Sequence, residues 1–122
     1  MIKYNFHKIL IIDDESGILN MLETKLTRTG FLVDTAKSGE EGLAKIKLNN
    51  YSLILTDLQM PDISGDKILY FIRNKKMSSI PVVGMSGTPW LLSQNDFDAT
   101  LQKPFSLKEL EDTLHLLLQE EK

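Results

Sequence analysis

The stretch LILTDLQMPD (residues 53–62) carries an apolar strand directly into a carboxylate, Asp57, and then into a Met-Pro pair that cannot continue the strand. A second stretch, KILIIDDE (residues 8–15), ends in the same way at Asp13 and Asp14. Short continuous apolar runs are typical of strands that are buried on both faces of a parallel sheet. The two stretches therefore predict core strands whose carboxyl ends carry acidic side chains.

Strand and helix patterns alternate about five times along the chain. Apolar runs predict strands at residues 9–12, 31–36, 53–56, 80–85 and 99–102. Leucine and isoleucine recur at helical spacing between the strands, and capping residues bound several helices: Gly30 at a C-terminus, and the capping boxes Ser38/Glu41 and Ser106/Glu109 at N-termini. The alternation predicts one α/β domain over residues 1–122, with a five-stranded parallel sheet and helices on both faces.

Composition excludes several classes of function. The net charge of −3 supplies no basic field for nucleic acid, so we expect no direct nucleic-acid contact. The absence of cysteine excludes disulfides, thiolate catalysis and cysteine zinc sites. The N-terminus is too polar for a signal peptide, and the longest apolar run is far short of the ~20 residues that span a bilayer. We expect a cytoplasmic domain without membrane contact.

The acidic residues at the strand ends indicate a metal site. Because the carboxyl ends of parallel strands meet at one edge of a sheet, Asp13, Asp14 and Asp57 should converge there. Three carboxylates in one pocket repel one another and raise their own pKa values unless a cation joins them. Mg²⁺ prefers oxygen ligands and is commonly bound by carboxylates together with phosphate oxygens. The cluster therefore predicts a Mg²⁺ site suited to phosphoryl chemistry.

Two further strand ends add a hydroxyl and an ammonium group. The fourth strand finishes in VVGMSG, which places Ser86 at the same edge, and the fifth finishes in LQKPF, which places Lys103 there. These groups can bind the equatorial oxygens of a transferring phosphoryl group. Asp57 would then be the nucleophile that forms an acyl phosphate.

The motifs IIDDE, TDLQMPDISG, GMSG and LQKPF, in this order and spacing, resemble the receiver domain of two-component response regulators. The resemblance covers nearly the whole chain, residues 8–118. It implies a flavodoxin-like, doubly wound sheet of strand order 2-1-3-4-5 that takes a phosphoryl group from a histidine kinase or a phosphotransfer protein. It also implies a switch that phosphorylates and dephosphorylates itself, is no turnover enzyme, and acts on a downstream protein target or output domain.

The resemblance assigns the phosphoacceptor and the metal ligands residue by residue. Asp57 matches the phosphoacceptor, which is also a metal ligand. Asp14 matches the direct Mg²⁺ ligand, and Asp13 matches the ligand that usually acts through water. The main-chain carbonyl of Gln59 matches the remaining protein ligand.

The same resemblance covers the groups that would bind the phosphoryl oxygens. Ser86 matches the switch hydroxyl and Lys103 matches the phosphate-binding lysine, with a cis bond to Pro104. Gly87, directly after the switch hydroxyl, is small and leaves the acceptor open to a bulky phosphodonor.

The sequence departs from the family pattern in two places. Thr100 stands three residues before the lysine, where the family usually has the Tyr or Phe that follows the switch hydroxyl. The segment from Ser86 to Lys103 is also about a helical turn shorter than is usual, so we expect helix four to be very short or missing. Pro89 can begin that helix, and we expect Trp90 to pack over the core edge that a full helix would cover.

Other interpretations stay open at this stage. The acidic pair could serve as turn or helix caps, and the fold could be a binding module that works without phosphorylation. An aspartyl phosphatase would want a second acid at Gln59, and a flavin carrier would want a glycine- or hydroxyl-rich first loop, so neither enzyme is favoured. Leu116 and Leu118 of the last helix could form a homodimer face or make ordinary core contacts.

Overall fold

The described residues of this computed structural model, 7–93 and 96–118, form strands that alternate with helices as the sequence predicts. The elements are β1 (Lys8–Ile12), α1 (Ser16–Thr29), β2 (Leu32–Ala36), α2 (Gly39–Leu48), β3 (Leu53–Asp57), α3 (Gly65–Tyr70), β4 (Val82–Ser86), α4 (Pro89–Leu92), β5 (Ala99–Gln102) and α5 (Leu107–Leu118). After α3 the chain continues in a wider π-helical turn over Phe71–Lys75.

The five strands pair in the order β2-β1-β3-β4-β5, and every pair is parallel. This confirms the predicted fold class. The order reverses at β1 and β3, so the loops after these two strands diverge to opposite sides of the sheet and leave a crevice between them. The acidic residues at the ends of both strands lie at that crevice.

Alternate residues of the strands pack into two separate cores, because successive side chains of a strand point to opposite faces. One core joins the strands to α1 and α5, and includes Ile11, Leu22 and Leu114. The other joins them to α2 and α3. Ile11 is fully buried, and its replacement by alanine would cost about 2–5 kcal/mol of unfolding free energy. These cores hold the strand ends at fixed positions.

Capping residues mark the beginnings and ends of the helices at the places that the sequence indicates. Gly30 adopts a left-handed conformation (φ 117°) at the end of α1. The capping box of α5 is reciprocal: the Glu109 N–H donates to Ser106 Oγ, and the Ser106 N–H donates to the Glu109 carboxylate. At α2 the Glu41 carboxylate instead accepts from the main chain of Lys37.

Helix α4 is a single turn, as expected, but the expectation for Trp90 is wrong. Only Leu92 of this turn is buried, whereas 66% of Trp90 is exposed. The second core is covered by Phe97 instead. Its ring lies so close to β4 that a Cβ on Gly84 would be 2.8 Å from it. One aromatic ring thus covers sheet surface that the shortened helix leaves bare.

At the other end of the chain, Leu114 is buried while 71% of Leu116 is exposed. Leu118 packs against the first core. None of the helices among the described residues has the length and apolar character needed to cross a membrane.

Candidate functional site

Three carboxylates meet at the carboxyl edge of the sheet, as the sequence predicts. Asp57 is the last residue of β3, and Asp13 and Asp14 directly follow β1. One oxygen of each carboxylate lies within 4.8 Å of the others. Asp13 and Asp57 are buried and Asp14 is exposed. The donors are therefore close enough together to hold a single ion.

Lys103, which directly follows β5, places its ammonium group inside this cluster. Its Nζ lies 2.9 Å from Asp13 Oδ2, 3.4 Å from Asp57 Oδ1 and 3.6 Å from a carboxylate oxygen of Glu15. The bond from Lys103 to Pro104 is cis, in agreement with the resemblance. Glu15 was not anticipated as a site residue, although its place directly after the acidic pair could have suggested it.

Burial and repulsion shift the protonation of the acceptor. Burial raises the pKa of Asp57 from 3.8 to about 6, the charge of Asp13 adds to this effect, and Lys103 opposes it. Burial lowers the pKa of Lys103, but its hydrogen bond to Asp13 and the charge of Asp57 outweigh burial and raise that pKa overall. At pH 7 most of the Asp57 carboxyl is therefore ionised, beside a protonated Lys103.

The chemistry of these donors fits a hard divalent cation. All three side chains offer oxygen, which is the ligand atom that Mg²⁺ prefers. One lysine cannot neutralise three carboxylates, so an excess of negative charge remains at a largely buried place. A divalent cation would balance that excess negative charge at a single point among the three carboxylates.

Ser86 ends β4 at the same edge and is 1% exposed. Its Oγ accepts a hydrogen bond from the Thr88 N–H at 3.0 Å and donates to the side-chain oxygen of Gln59 at 3.4 Å. The Thr88 hydroxyl donates to the same Gln59 oxygen at 3.1 Å. The sequence pointed only to the main chain of Gln59, and no local pattern marked its carboxamide or Thr88.

Backbone packing fixes the loop that follows the acceptor at the end of β3. The Gly65 N–H donates to the Leu58 carbonyl, and a Cβ on Gly65 would lie 2.5 Å from the Asp57 carbonyl oxygen. The Asp62 carboxylate accepts from the main-chain N–H groups of Gly39 and Glu40 at the start of α2. The Glu40 N–H and its neighbours hold the pKa of Asp62 below its usual value. The loop after β3 is thus attached to both α3 and α2.

Thr100 lies on β5 with an exposed side chain. Gly87, by contrast, borders open space: a Cβ built on it would meet no atom within 4 Å among the described residues. The entrance beside Ser86 is therefore unobstructed on this side.

The chain matches the family model described as the response regulator receiver domain over residues 9–115. It therefore belongs to the response regulator receiver domain family, as its motifs indicated. Receiver domains of response regulators are signalling switches and not turnover enzymes.

Curated relatives and solved structures agree with this assignment. The chain is 36% identical to "Probable transcriptional regulator ycf27" of Cyanophora paradoxa, over 93% of this chain and 49% of that protein. It is 37% identical to "Transcriptional regulatory protein ResD" of Bacillus subtilis, over 87% of this chain and 45% of that protein. The response regulator TrrA of Thermotoga maritima, crystallised in complex with Mg²⁺-BeF, superposes with a TM-score of 0.85 at 32% identity, over 92% of this chain and 99% of that one.

The chain spans about half of the length of the curated relatives that it matches. Those relatives are named as transcriptional regulators, so the comparisons do not support the expectation of no direct nucleic-acid contact.

Proposed function

We propose that residues 1–122 form one receiver domain in which Asp57 accepts a phosphoryl group from a histidine kinase or a phosphotransfer protein. The observation that carries the proposal is the position of Lys103, whose ammonium group lies between Asp13 and Asp57, at 2.9 and 3.4 Å. This arrangement places a cation beside the nucleophile, where the charge of a phosphoryl group would develop. A fixed binding module has no evident need for it, so the alternative without phosphorylation is not favoured.

In the proposed reaction an Asp57 oxygen attacks the phosphorus of a phosphohistidine. The P–N bond breaks, its electron pair goes to the imidazole nitrogen, and an acyl phosphate forms on Asp57. The pKa of about 6 leaves most of the Asp57 carboxyl ionised at pH 7, as a nucleophile requires. Lys103 would exchange part of its contact with Asp13 for a phosphoryl oxygen, and Ser86 would donate its hydroxyl proton to another.

Mg²⁺ is the cofactor we propose, held by Asp13, Asp14, Asp57 and the main-chain carbonyl of Gln59. When bound, it would supply positive charge against the oxygens of the transferring group. The donor set of the chain supports this assignment, and the crystallised relative from Thermotoga maritima was in complex with Mg²⁺-BeF. The same residues would serve the hydrolysis of the acyl phosphate. Water would attack the phosphorus, the P–O bond to Asp57 would break, and inorganic phosphate would leave, which returns the switch to its resting state.

The phosphorylated domain would signal by changing its protein contacts. The receiving partner is a downstream protein target or an output domain. Since the named relatives are transcriptional regulators, an output domain that acts on DNA is one form that this partner would take. A homodimer through the exposed leucine of α5, and a cytoplasmic location, stay predictions.

Intact-protein mass spectrometry tests the proposal. The chain is incubated with acetyl phosphate, with and without Mg²⁺, as wild type and as Asp57→Asn. We expect the mass of one phosphoryl group to be gained only by the wild type with Mg²⁺. A folded wild type that gains nothing would refute the proposal, and so would an Asp57→Asn variant that gains as much.

A further inference from the structure

The side chain of Gln59 lies over the hydroxyl of Ser86 at the edge of the proposed acceptor site. Its oxygen accepts from Thr88 Oγ1 at 3.1 Å and from Ser86 Oγ at 3.4 Å. The network closes through the Thr88 N–H, which donates to Ser86 Oγ at 3.0 Å. The bond to Thr88 anchors the carboxamide, because the contact with Ser86 is long for a hydroxyl donor.

The single hydrogen-bond donor of Ser86 is already engaged in this network. A serine hydroxyl has a single proton and can donate only one strong hydrogen bond. Here Ser86 Oγ accepts a hydrogen bond from the Thr88 N–H and donates its own to the side-chain oxygen of Gln59. Ser86 is 1% exposed, so bulk water is not at hand as a substitute partner. Ser86 therefore cannot donate to Gln59 and to a phosphoryl oxygen at the same time.

We propose that the Gln59 carboxamide is a positioning residue that holds Ser86 in its resting place by accepting the hydroxyl proton, so that a phosphoryl group on Asp57 has to displace it. This inference rests on the proposed function. In this proposal Gln59 has two separate roles: its main-chain carbonyl would bind the metal, and its side chain restrains the switch hydroxyl. The restraint lowers the affinity of the resting domain for a phosphoryl group.

The restraint also links Ser86 to α4. Thr88 directly precedes Pro89, the first residue of that single turn. When the Ser86 hydroxyl moves away from Gln59, the Thr88 N–H loses its acceptor, which is Ser86 Oγ. The Thr88 hydroxyl still donates to the Gln59 carboxamide, but that carboxamide is then free to move. The turn that carries the exposed Trp90 is then released from the site. This route does not need an aromatic residue at Thr100.

A double-mutant cycle with beryllium fluoride, a tetrahedral analogue of a phosphoryl group, tests the inference. The wild type, Gln59→Met, Ser86→Ala and the double variant are titrated at saturating Mg²⁺, by calorimetry and by the fluorescence of Trp90, the only tryptophan of the chain. Methionine keeps the length of glutamine but accepts no comparable hydrogen bond. We expect Gln59→Met to bind the analogue about two- to threefold more tightly, the low end of the range of one hydrogen bond, because the contact between Ser86 and Gln59 is long.

The cycle separates this role from a steric one. In the Ser86→Ala background there is no hydroxyl to release, so Gln59→Met should leave the affinity unchanged. The affinity for Mg²⁺ alone should be the same with and without the substitution, since the proposed metal ligand at this position is a main-chain carbonyl. A gain of equal size in both backgrounds would overturn the inference.

Weaker binding by Gln59→Met would also overturn it, because the carboxamide would then contact the phosphoryl analogue itself. A different result identifies failure of the proposed function: a folded wild type that binds Mg²⁺ but no beryllium fluoride. Tight binding by the wild type with no effect of Gln59→Met would leave that function standing and remove only the restraint.

Discussion

Lys103 and Asp13 form the shortest of the ion pairs around the candidate site, with 2.9 Å between Nζ and a carboxylate that is completely buried. Asp57 lies farther from the same ammonium group, at 3.4 Å. In the resting domain the positive charge of Lys103 therefore lies closer to the carboxylate of Asp13 than to that of the acceptor, Asp57. A phosphoryl group on Asp57 would compete with Asp13 for the same cation.

Lys103→Met should destabilise the metal-free chain and abolish its phosphorylation. Removing the cation leaves Asp13 and Asp57 buried without their partner, which costs about 3 kcal/mol of unfolding free energy. Urea denaturation without Mg²⁺ measures the change. The matched control is Lys108→Met, because Lys108 also lies 2.9 Å from its partner, Asp112, but both side chains are exposed. We expect no measurable change for the control, and equal losses would contradict this account of the site.

Asp57→Asn should stabilise the metal-free chain at neutral pH. The pKa of Asp57 is raised from 3.8 to about 6 by folding, so the folded state loses stability as the pH rises from about 4 to above 6. Below pH 4 both states are protonated and this cost is absent. We expect the variant to exceed the wild type by on the order of 2–3 kcal/mol at pH 7.5, and to equal it near pH 4.

Denaturant titrations of both proteins at several pH values, without Mg²⁺, give this comparison. A stability difference that is independent of pH would show that the effect comes from packing and not from ionisation. A less stable Asp57→Asn at pH 7.5 would contradict the assigned cause of the pKa shift.

Asp14→Asn should weaken Mg²⁺ binding more than it alters the fold. Asp14 is exposed, yet its carboxylate lies within 4.8 Å of those of Asp13 and Asp57. The wild type should be stabilised by about 2.7 kcal/mol at a Mg²⁺ concentration one hundred times the dissociation constant, and the variant by much less. Thermal unfolding with and without Mg²⁺ measures this. Glu15→Gln is the control, since Glu15 contacts Lys103 but lies outside the carboxylate cluster.

Gly65→Ala should disturb the end of β3, where the acceptor Asp57 lies, and the loop that follows it. The added Cβ would lie 2.5 Å from the Asp57 carbonyl oxygen and 3.0 Å from the Leu58 Cα, and backbone atoms cannot turn aside as a side chain can. We expect a loss of about 1–3 kcal/mol of unfolding free energy and slower phosphorylation by acetyl phosphate.

The matched substitution is Gly17→Ala, in the first turn of α1, where the new Cβ would meet nothing within 4 Å among the described residues. Alanine favours a helix over glycine, so the control should be neutral or slightly stabilising. If both substitutions behave alike, the close approach of Gly65 to Asp57 does not constrain the site.

The sequence was sufficient for the parts of this molecule that depend on local pattern. Apolar runs located the strands, and capping residues located helix ends such as that at Gly30. The short interval from Ser86 to Lys103 predicted a fourth helix that is very short or missing, and the structure has a single turn there. Because parallel strands bring their carboxyl ends to one edge, it also predicted that distant acidic, hydroxyl and ammonium side chains would meet. Their roles in phosphoryl transfer are still proposals.

Only the tertiary structure decided which side chains contact one another at that edge. Lys103 pairs with Asp13, and the carboxamide of Gln59 lies over Ser86, although these partners are far apart in the chain. The partly buried Phe97 packs against the second core while Trp90 stays exposed, and no periodic pattern distinguishes the two. Hydrophobic periodicity, which a sequence displays, indicates the strands, the helices and their alternation. The strand order was implied by the family resemblance, and the structure confirms it. Individual partners depend on distances of a few ångströms between side chains, and these are defined only when the sheet and its helices are packed.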